Sequence, residues 1–523
     1  IFCNLLHNNF TRLFFTLQFV IIELVIAPQE AETMFTVTIK TEKNTYQNSY
    51  FSPVLLSKAI ADAGLTIQMP CGGRGTCGKC KVRAVGGLSP AAPEELQLLT
   101  AAQRASGLRL ACCTCAEADC TIYFSTDRGK VQGVAEALAP AFKVDAGQDG
   151  YGVAVDIGTT TVAAYLYSLC DGVCHNSACE ENVQTAYGAD VIARIEYANK
   201  GGLTELSDMI RKQISVMIGE KFAVAPKRLV VTGNTTMLHL LAGLDPRTLA
   251  VSPFTPVSHF GAWYGNLYLP RCISAYVGAD MTCAVLSSGM QNDSASLLVD
   301  IGTNGEMALW HGGKLVCCST AAGPAFEGAL ISQGMSALPG AISRVWIEAG
   351  TVQYETVGEA EPIGICGSGL VDAVACMRKA GVLDETGYLE NDYEIGDSKV
   401  RITAQDIRQL QLAKSAIRAG IETLMHTCGI NAEQIDKFYI AGGFGKYLDT
   451  ENAAKIGLFP QELVEKAVVL GNAAGAGASM ILLSKQAQAE SEQIAQEAQV
   501  TELSDSPVFM EKYMDYMMFE TPL

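Results

Sequence analysis

Residues 153–166 read VAVDIGTTTVAAYL, and residues 297–310 read LLVDIGTNGEMALW. Each is an apolar, β-branched run that stops at Asp-Ile-Gly-Thr and resumes as a second apolar run, the pattern of a buried strand turning into a hairpin. Two copies of one device predict a duplicated pair of lobes with a cleft between them. Glycine at each turn permits close approach of a ligand to the backbone, and the N–H groups and threonine hydroxyls there suit phosphate oxygens. The aspartates complement them. Asp156 and Asp300 are the candidates for facing a hydrated magnesium ion or orienting a water for attack at a terminal phosphate. The candidate phosphate contacts are Gly158, Thr159 and Thr160 in the first copy and Gly302, Thr303 and Asn304 in the second.

A third glycine loop lies in KFYIAGGFGKYL, residues 437–448. Its Gly442, Gly443 and Gly445 are suited to letting an adenosine lie flat against the main chain, and no GxxxxGK[ST] loop offers a rival phosphate site. Three further stretches, 230–243 (VVTGNTTMLHLLAG), 319–335 (STAAGPAFEGALISQGM) and 364–375 (GICGSGLVDAVA), each read as a small-residue turn opening into a helix, suited to an anion or to close packing. Glu306 and Glu327, beside glycine loops, are either acids that position water or metal or merely capping and solvated side chains. His239 reads as a packed or surface histidine.

Upstream the texture changes. Residues 71–80, CGGRGTCGKC, place three cysteines and four glycines in ten positions. Cys71, Cys77 and Cys80, with Cys112 further on, form a set of four thiolates able to hold two irons, three from one loop and one from a neighbouring strand. The glycines let the backbone curl and point N–H groups at inorganic sulfide, which stabilises added negative charge on reduction. A four-cysteine zinc site, the alternative, pairs two short knuckles, and here only Cys77 and Cys80 form one. Around this loop, strands are predicted at 35–40, 81–85, 108–113 and 120–124 and a helix within 53–65, a small β-rich domain.

The cysteine stretch resembles a 2Fe-2S ferredoxin domain over roughly residues 34–125, with Leu110-Ala111-Cys112 matching that family's step to the fourth ligand; its first gap is one residue longer than the plant-type spacing. The three glycine loops in their order resemble the superfamily of actin, sugar and acetate kinases and heat-shock chaperones over residues 151 to about 485. Together, the set DIGTTT, GNTTM, DIGTNGE, GPAFEG, GICGSG and AGGFG behind a ferredoxin domain resembles the reductive activators of corrinoid proteins. The resemblance implies an α/β chain: a small β-grasp-like ferredoxin domain followed by a duplicated two-lobe actin-like ATPase fold. It implies a 2Fe-2S cluster on Cys71, Cys77, Cys80 and Cys112, and ATP with Mg2+ served by Asp156, Asp300 and Glu306. The implied partners are the corrinoid protein of a methyltransferase system, returned from Co(II) to Co(I), and an external low-potential electron donor. The connector at 126–150 is too short for the separate middle domain of longer members, which bears on whether the chain forms a homodimer. The alternatives are an activator of an acyl-CoA dehydratase or reductase, a redox-sensing small-molecule kinase, or an ATP-gated binding module.

The coupling is physically reasonable. A plant-type cluster lies near about −400 mV. A nucleotide that favours one conformation by about 5.5 kcal/mol corresponds to roughly 0.24 V for one electron, taking about 59 mV per tenfold step.

At 523 residues the chain exceeds what one core supports, so several domains are expected. Its net charge of −18, with 37 basic against 55 acidic side chains, disfavours a nucleic-acid partner. Eighteen cysteines in so large a chain read as reduced thiols and metal ligands, hence a cytoplasmic protein. The apolar run at 13–27 is too short for a membrane span, and no membrane partner is expected. Residues 1–33 are expected to be a mis-called leader ahead of Met34. Residues 126–150 read as a linker with a helical pattern at 131–142, 151–485 as the ATPase domain, and 486–523 as a helical tail whose last part, 503–519, is a capped helix.

Overall fold

A computed structural model of the chain describes residues 34–519, apart from 42–43, 66, 68, 70, 72, 125–141, 146–147 and 189. The expected leader and the helical pattern at 131–142 therefore lie outside the described residues, except for Phe142.

The N-terminal unit begins with β1 (Phe35–Lys40), whose alternation buries Phe35, Val37 and Ile39. It pairs antiparallel with β2 (Thr45–Tyr50), an edge strand of mainly polar residues that its sequence did not announce. A two-residue strand, β3 (Val54–Leu55), leads into α1 (Leu56–Asp62), which buries Leu56, Ala59 and Ile60. Then come β4 (Lys81–Leu88), β5 (Leu108–Leu110) and β6 (Cys115–Tyr123). The order is β2-β1-β6-β4-β5, with β3 also on β6 and β1 parallel to β6, which is the β-grasp arrangement expected. The strand predicted at 108–113 stops at Leu110. Ala111 N still donates to Cys80 O at 2.9 Å, but Cys113 and Thr114 turn back onto Leu110 O, which swings Cys112 beside the cysteine loop.

The remainder is built twice. In the first lobe β7 (Tyr151–Ile157), β8 (Thr161–Ser168) and β9 (Cys174–Glu181) form an antiparallel meander, and β10 (Arg228–Gly233) runs parallel to β7. Between β9 and β10 lie α2 (Val191–Tyr197) and α3 (Leu203–Met217), the latter burying Leu206, Ile210, Ile214 and Met217 along one stripe. After β10 come α4 (Thr235–Ala242), short strands β11 (Ala262–Tyr264) and β12 (Leu267–Leu269), and α5 (Ala279–Ser288). In the second lobe β13 (Ala295–Ile301), β14 (Gly305–His311) and β15 (Lys314–Thr320) repeat the meander, with β16 (Lys437–Ala441) parallel to β13 and β17 (Ala467–Gly471) parallel to β16. The two DIGT copies thus occupy the same place in two like sheets.

Two helices join the lobes. α5 packs along α6 (Ala473–Leu483), whose Gly477 approaches so closely that a β-carbon there would lie 2.1 Å from Cys283 O. The second lobe also holds a long helix, α7 (Ala404–Cys428). The later part of the expected tail belongs to this lobe: residues 499–500 pair with β15, and Lys414 Nζ on α7 donates to the carbonyls of Tyr516 (2.6 Å) and Met518 (2.8 Å). Its first helix, Lys485–Glu497, instead reaches the first lobe, where Tyr268 OH donates to Glu492 at 2.6 Å. The capped helix expected within 503–519 is observed at Pro507–Asp515, capped by Ser506.

One of the three turn-to-helix expectations fails. Residues 230–243 and 364–375 open into helices, but 319–335 continues from β15 into successive tight turns with no helix. Gly328 and Gly334 close this segment on itself: a β-carbon on Gly334 would lie 2.3 Å from Gly328 O. Among the described residues, no helix is long and apolar enough to cross a membrane.

Candidate functional site

The C-terminal ends of β7 and β13 meet at a cleft of about 330 Å³ between the lobes. Gly158, Thr159, Thr160, Gly302, Thr303, Asn304, Gly442 and Gly443 all line it, together with Asp156, Asp300 and Glu306. Gly445 does not. A β-carbon on it would press Ile440 at 2.8 Å, so this glycine serves packing beneath the third loop. Gly443, by contrast, has nothing within 4 Å of where a β-carbon would stand, so its main chain faces open cleft.

Four carboxylates form the floor. Strand register sets Asp300 opposite Glu306, whereas the corresponding partner of Asp156 is Ala163, so the acid pair belongs to the second lobe alone. The fourth acid, Asp280, opens α5 and is drawn in because Gly278 lies against the backbone of Asn234 and Thr235. Asp156, Asp280 and Asp300 are partly exposed, whereas Glu306 is buried. Burial, reinforced by Asp280, raises the Asp156 and Asp300 carboxyls to about 7; burial raises Asp280 to about 6. Glu306 is pushed up by burial, then by Asp280 and Asp300. Among the described residues no basic side chain pairs with any of the four. Among those residues no three such donors converge on one point.

Of three residues that buttress the loops, Arg194 and Asn182 carried no signal in the sequence, whereas Asn234 lies in the GNTTM turn read there. Arg194, fully buried, donates to Thr159 O and to Gly188 O (2.8 Å), and burial lowers it to about 9. Asn182 Nδ2 donates to Gly158 O at 2.8 Å, and Asn234, the N-cap of α4, donates to Thr159 Oγ1 at 3.1 Å. Glu327 is neither a helix cap nor a solvated acid: it accepts from Thr160 Oγ1 at 2.9 Å and Thr303 Oγ1 at 3.0 Å, one hydroxyl from each lobe. His239 is fully buried, with Nδ1 2.7 Å from Thr235 O, a packed histidine.

The cysteine loop lies in the N-terminal unit. Cys80 and Cys112 bring their sulfurs to 3.2 Å, and Cys113 approaches Cys112 at 3.4 Å. Hydrogen bonds to Cys71 and Cys80, then burial, hold the Cys112 thiol far above its usual range, while the bonds that Cys71 accepts from Cys112 and Cys77 drive Cys71 down. So many sulfurs cannot all ionise unless a cationic group shares their charge, and this donor set fits an iron–sulfur cluster. Gly73, Gly75 and Gly78 all have positive φ, the conformation the curled loop requires. The turn bearing Cys112 is fastened by Glu95, 0 % exposed, which accepts from Arg109 (2.9 Å), Leu110 N (2.9 Å) and Thr114 Oγ1 (3.0 Å).

A ferredoxin unit and a duplicated, acid-floored nucleotide cleft on one chain define an ATP-linked electron-transfer protein. The family model described as the 2Fe-2S iron-sulfur cluster binding domain matches residues 50–117, the RACo middle region matches 151–293, and the C-terminal domain of RACo, the ASKHA domain, matches 294–522. The middle-region model thus falls on the first lobe. The chain is 34% identical over 420 residues to the corrinoid activation enzyme RamQ of Eubacterium limosum, covering 71% of this chain and 70% of that protein. It is 29% identical over 392 residues to the [Co(II) methylated amine-specific corrinoid protein] reductase of Methanosarcina barkeri, covering 64% and 70%. A solved reductive activator for a corrinoid, iron-sulfur protein superposes with a TM-score of 0.64 at 31% identity, covering 93% of this chain and 98% of that one. The chain belongs to the family of reductive activators of corrinoid proteins. It is an enzyme with a 2Fe-2S-binding domain and an ASKHA ATPase domain.

Proposed function

We propose that this chain uses ATP to drive one electron onto the Co(II) corrinoid of a partner protein, returning it to the Co(I) state that accepts methyl groups. The observation that carries the reading is the pairing, in one chain, of a four-cysteine set, three of its members buried, with a two-lobed cleft floored by Asp156, Asp280, Asp300 and Glu306, which no basic side chain pairs among the described residues. Bound in these places, a 2Fe-2S cluster supplies a one-electron carrier and ATP with Mg2+ supplies the driving free energy.

The residues divide the work as follows. Cys71, Cys77, Cys80 and Cys112 hold the iron, and the loop glycines aim backbone N–H groups at sulfide. Thr159, Thr160 and Thr303 offer hydroxyls to phosphate, beside Gly158, Gly302 and Asn304, while Gly442 and Gly443 leave room for the nucleoside. Asp156 and Asp300 hold protons part of the time near neutrality, Asp280 is mostly ionised there, and the remaining protons would leave when a hydrated dication enters. Glu306, facing Asp300 across the hairpin, orients the attacking water. The domains run from 34 to 125 and from 151 to 485; of the tail, the helix over 485–497 lies against the first lobe's α5 and β12, and 499–519 packs on the second lobe. The electron donor is external and of low potential, and the chain acts in the cytoplasm.

Anaerobic mixing with a Co(II) corrinoid protein, reductant and ATP tests this. Co(I) absorbance is expected only with ATP. Phosphorylation of an added sugar or acid without Co(I) formation points instead to a kinase.

A further inference from the structure

The cysteine loop is hydrogen-bonded to a segment that flanks the nucleotide cleft. Lys79, between Cys77 and Cys80, is half-buried, and its ammonium donates to three carbonyls of the second lobe: Ile331 O at 2.7 Å, Ser332 O at 3.2 Å and Gly334 O at 3.3 Å. Three donors and three acceptors leave that ammonium saturated. An ion pair that also reaches from this unit to the ATPase lobes, Lys58 with Glu205 at 3.9 Å, is exposed and weak.

The carbonyls that receive Lys79 belong to the helix-less segment 324–335, and that segment also reads the cleft. Glu327 accepts the Thr160 and Thr303 hydroxyls. Phe326 stacks near Phe444 of the third glycine loop, with ring centroids 4.8 Å apart. At its far end Ser332 is tied to Asp406, the N3 residue of α7, through both N (2.7 Å) and Oγ (2.6 Å). Because Gly328 and Gly334 close the segment without spare room, a displacement at Glu327 is passed on to residues 331–334.

A nucleotide phosphate needs the same hydroxyls that Glu327 holds, and an anion is repelled by that carboxylate. Phosphate and Glu327 therefore compete for Thr160 and Thr303. We propose that Lys79 is a positioning residue that parks the cysteine loop on segment 324–335 in the nucleotide-free protein, and that nucleotide binding, by displacing Glu327, loosens its grip and frees the ferredoxin unit to approach a partner. The step deepens the ATP-driven reading above and rests on it. By linkage the effect is reciprocal: whatever loosens the grip is bound more tightly once the grip is gone.

The test uses the full-length holoprotein under anaerobic conditions with a non-hydrolysable ATP analogue and Mg2+. In the unsubstituted protein the analogue is expected to raise amide exchange in residues 73–80 and 331–335. Lys79→Met, with iron content and visible spectrum unchanged, is expected to bind the analogue about tenfold more tightly by calorimetry, a difference of about 1.4 kcal/mol, and to show the raised exchange without it. Lys79→Gln serves if the methionine variant loses iron, and the exchange experiment needs no substitution. Equal or weaker affinity in the variants, or exchange unmoved by the analogue, overturns the proposal. Tighter binding in a protein that reduces no corrinoid supports the Lys79 grip while removing the functional reading.

Discussion

Replacing Glu95 by glutamine isolates how the fold holds the fourth cysteine. Burial alone drives this carboxyl up, but Arg109 first, then Leu110 N, Ala92 N and Thr114 Oγ1, outweigh it and hold it at about 2 against an ordinary 4.5. That depression corresponds to about 3 kcal/mol favouring the folded state. Because the folded value is the lower one, the stabilisation is present above about pH 4.5 and is lost as pH falls through 2. Glu95→Gln removes the charge and leaves Arg109, 12% exposed, without its partner, a loss of about 3 kcal/mol, within the range for breaking a buried pair. In a unit of this size that lowers the melting temperature by roughly 10–25 °C. Denaturant titration at pH 7, followed by bleaching of the visible iron–sulfur absorption, reads the ferredoxin unit separately from the ATPase lobes. ATP binding is expected to be unchanged. A bleaching midpoint equal to that of the unsubstituted protein would show that the Cys112 turn does not depend on Glu95.

The cleft makes its own predictions. Asp156→Asn and Asp300→Asn are each expected to lower ATP hydrolysis by about 10²–10⁴-fold, with retained fold by circular dichroism. Because both carboxyls are raised to about 7, the metal-free protein loses stability as pH rises through 7, whereas Mg2+–nucleotide affinity increases from pH 6 to 8, by up to about tenfold per unit for each proton displaced; melting curves and calorimetry across that range measure both. Gly443→Val places its side chain in open cleft, so nucleotide affinity is expected to fall by about tenfold or more while the melting temperature moves by only a few degrees. Cys112→Ser is expected to lose most of its iron or shift its visible spectrum, and Cys113→Ser to keep about two irons per chain; the reverse outcome would exchange the roles of these neighbours.

Much of the molecule was legible from short-range pattern. Alternation in FTVTIK, the repeated DIGT hairpins and the crowded Cys-Gly loop each impose their local structure through neighbours in the chain, and all three occur as read. The polar edge strand at 45–50 escaped because an edge buries little, and residues 319–335 read as helix-forming because small residues permit either outcome. The site's remaining parts depend on contacts between distant residues. Asp280 stands in an unremarkable Gly-Ala-Asp and becomes an acid of the floor only because Gly278 packs on Asn234. Gly445 belongs to the right motif but faces Ile440, not the cleft. Glu327 gains its meaning by bridging Thr160 and Thr303, and Lys79 by reaching carbonyls some 250 positions away. The sequence alone determined which chemistries this protein carries, since strands, turns and ligand loops are written in neighbouring residues. Their distance and connection were decided by tertiary packing alone, because burial and hydrogen bonding join groups that the order of the chain keeps apart.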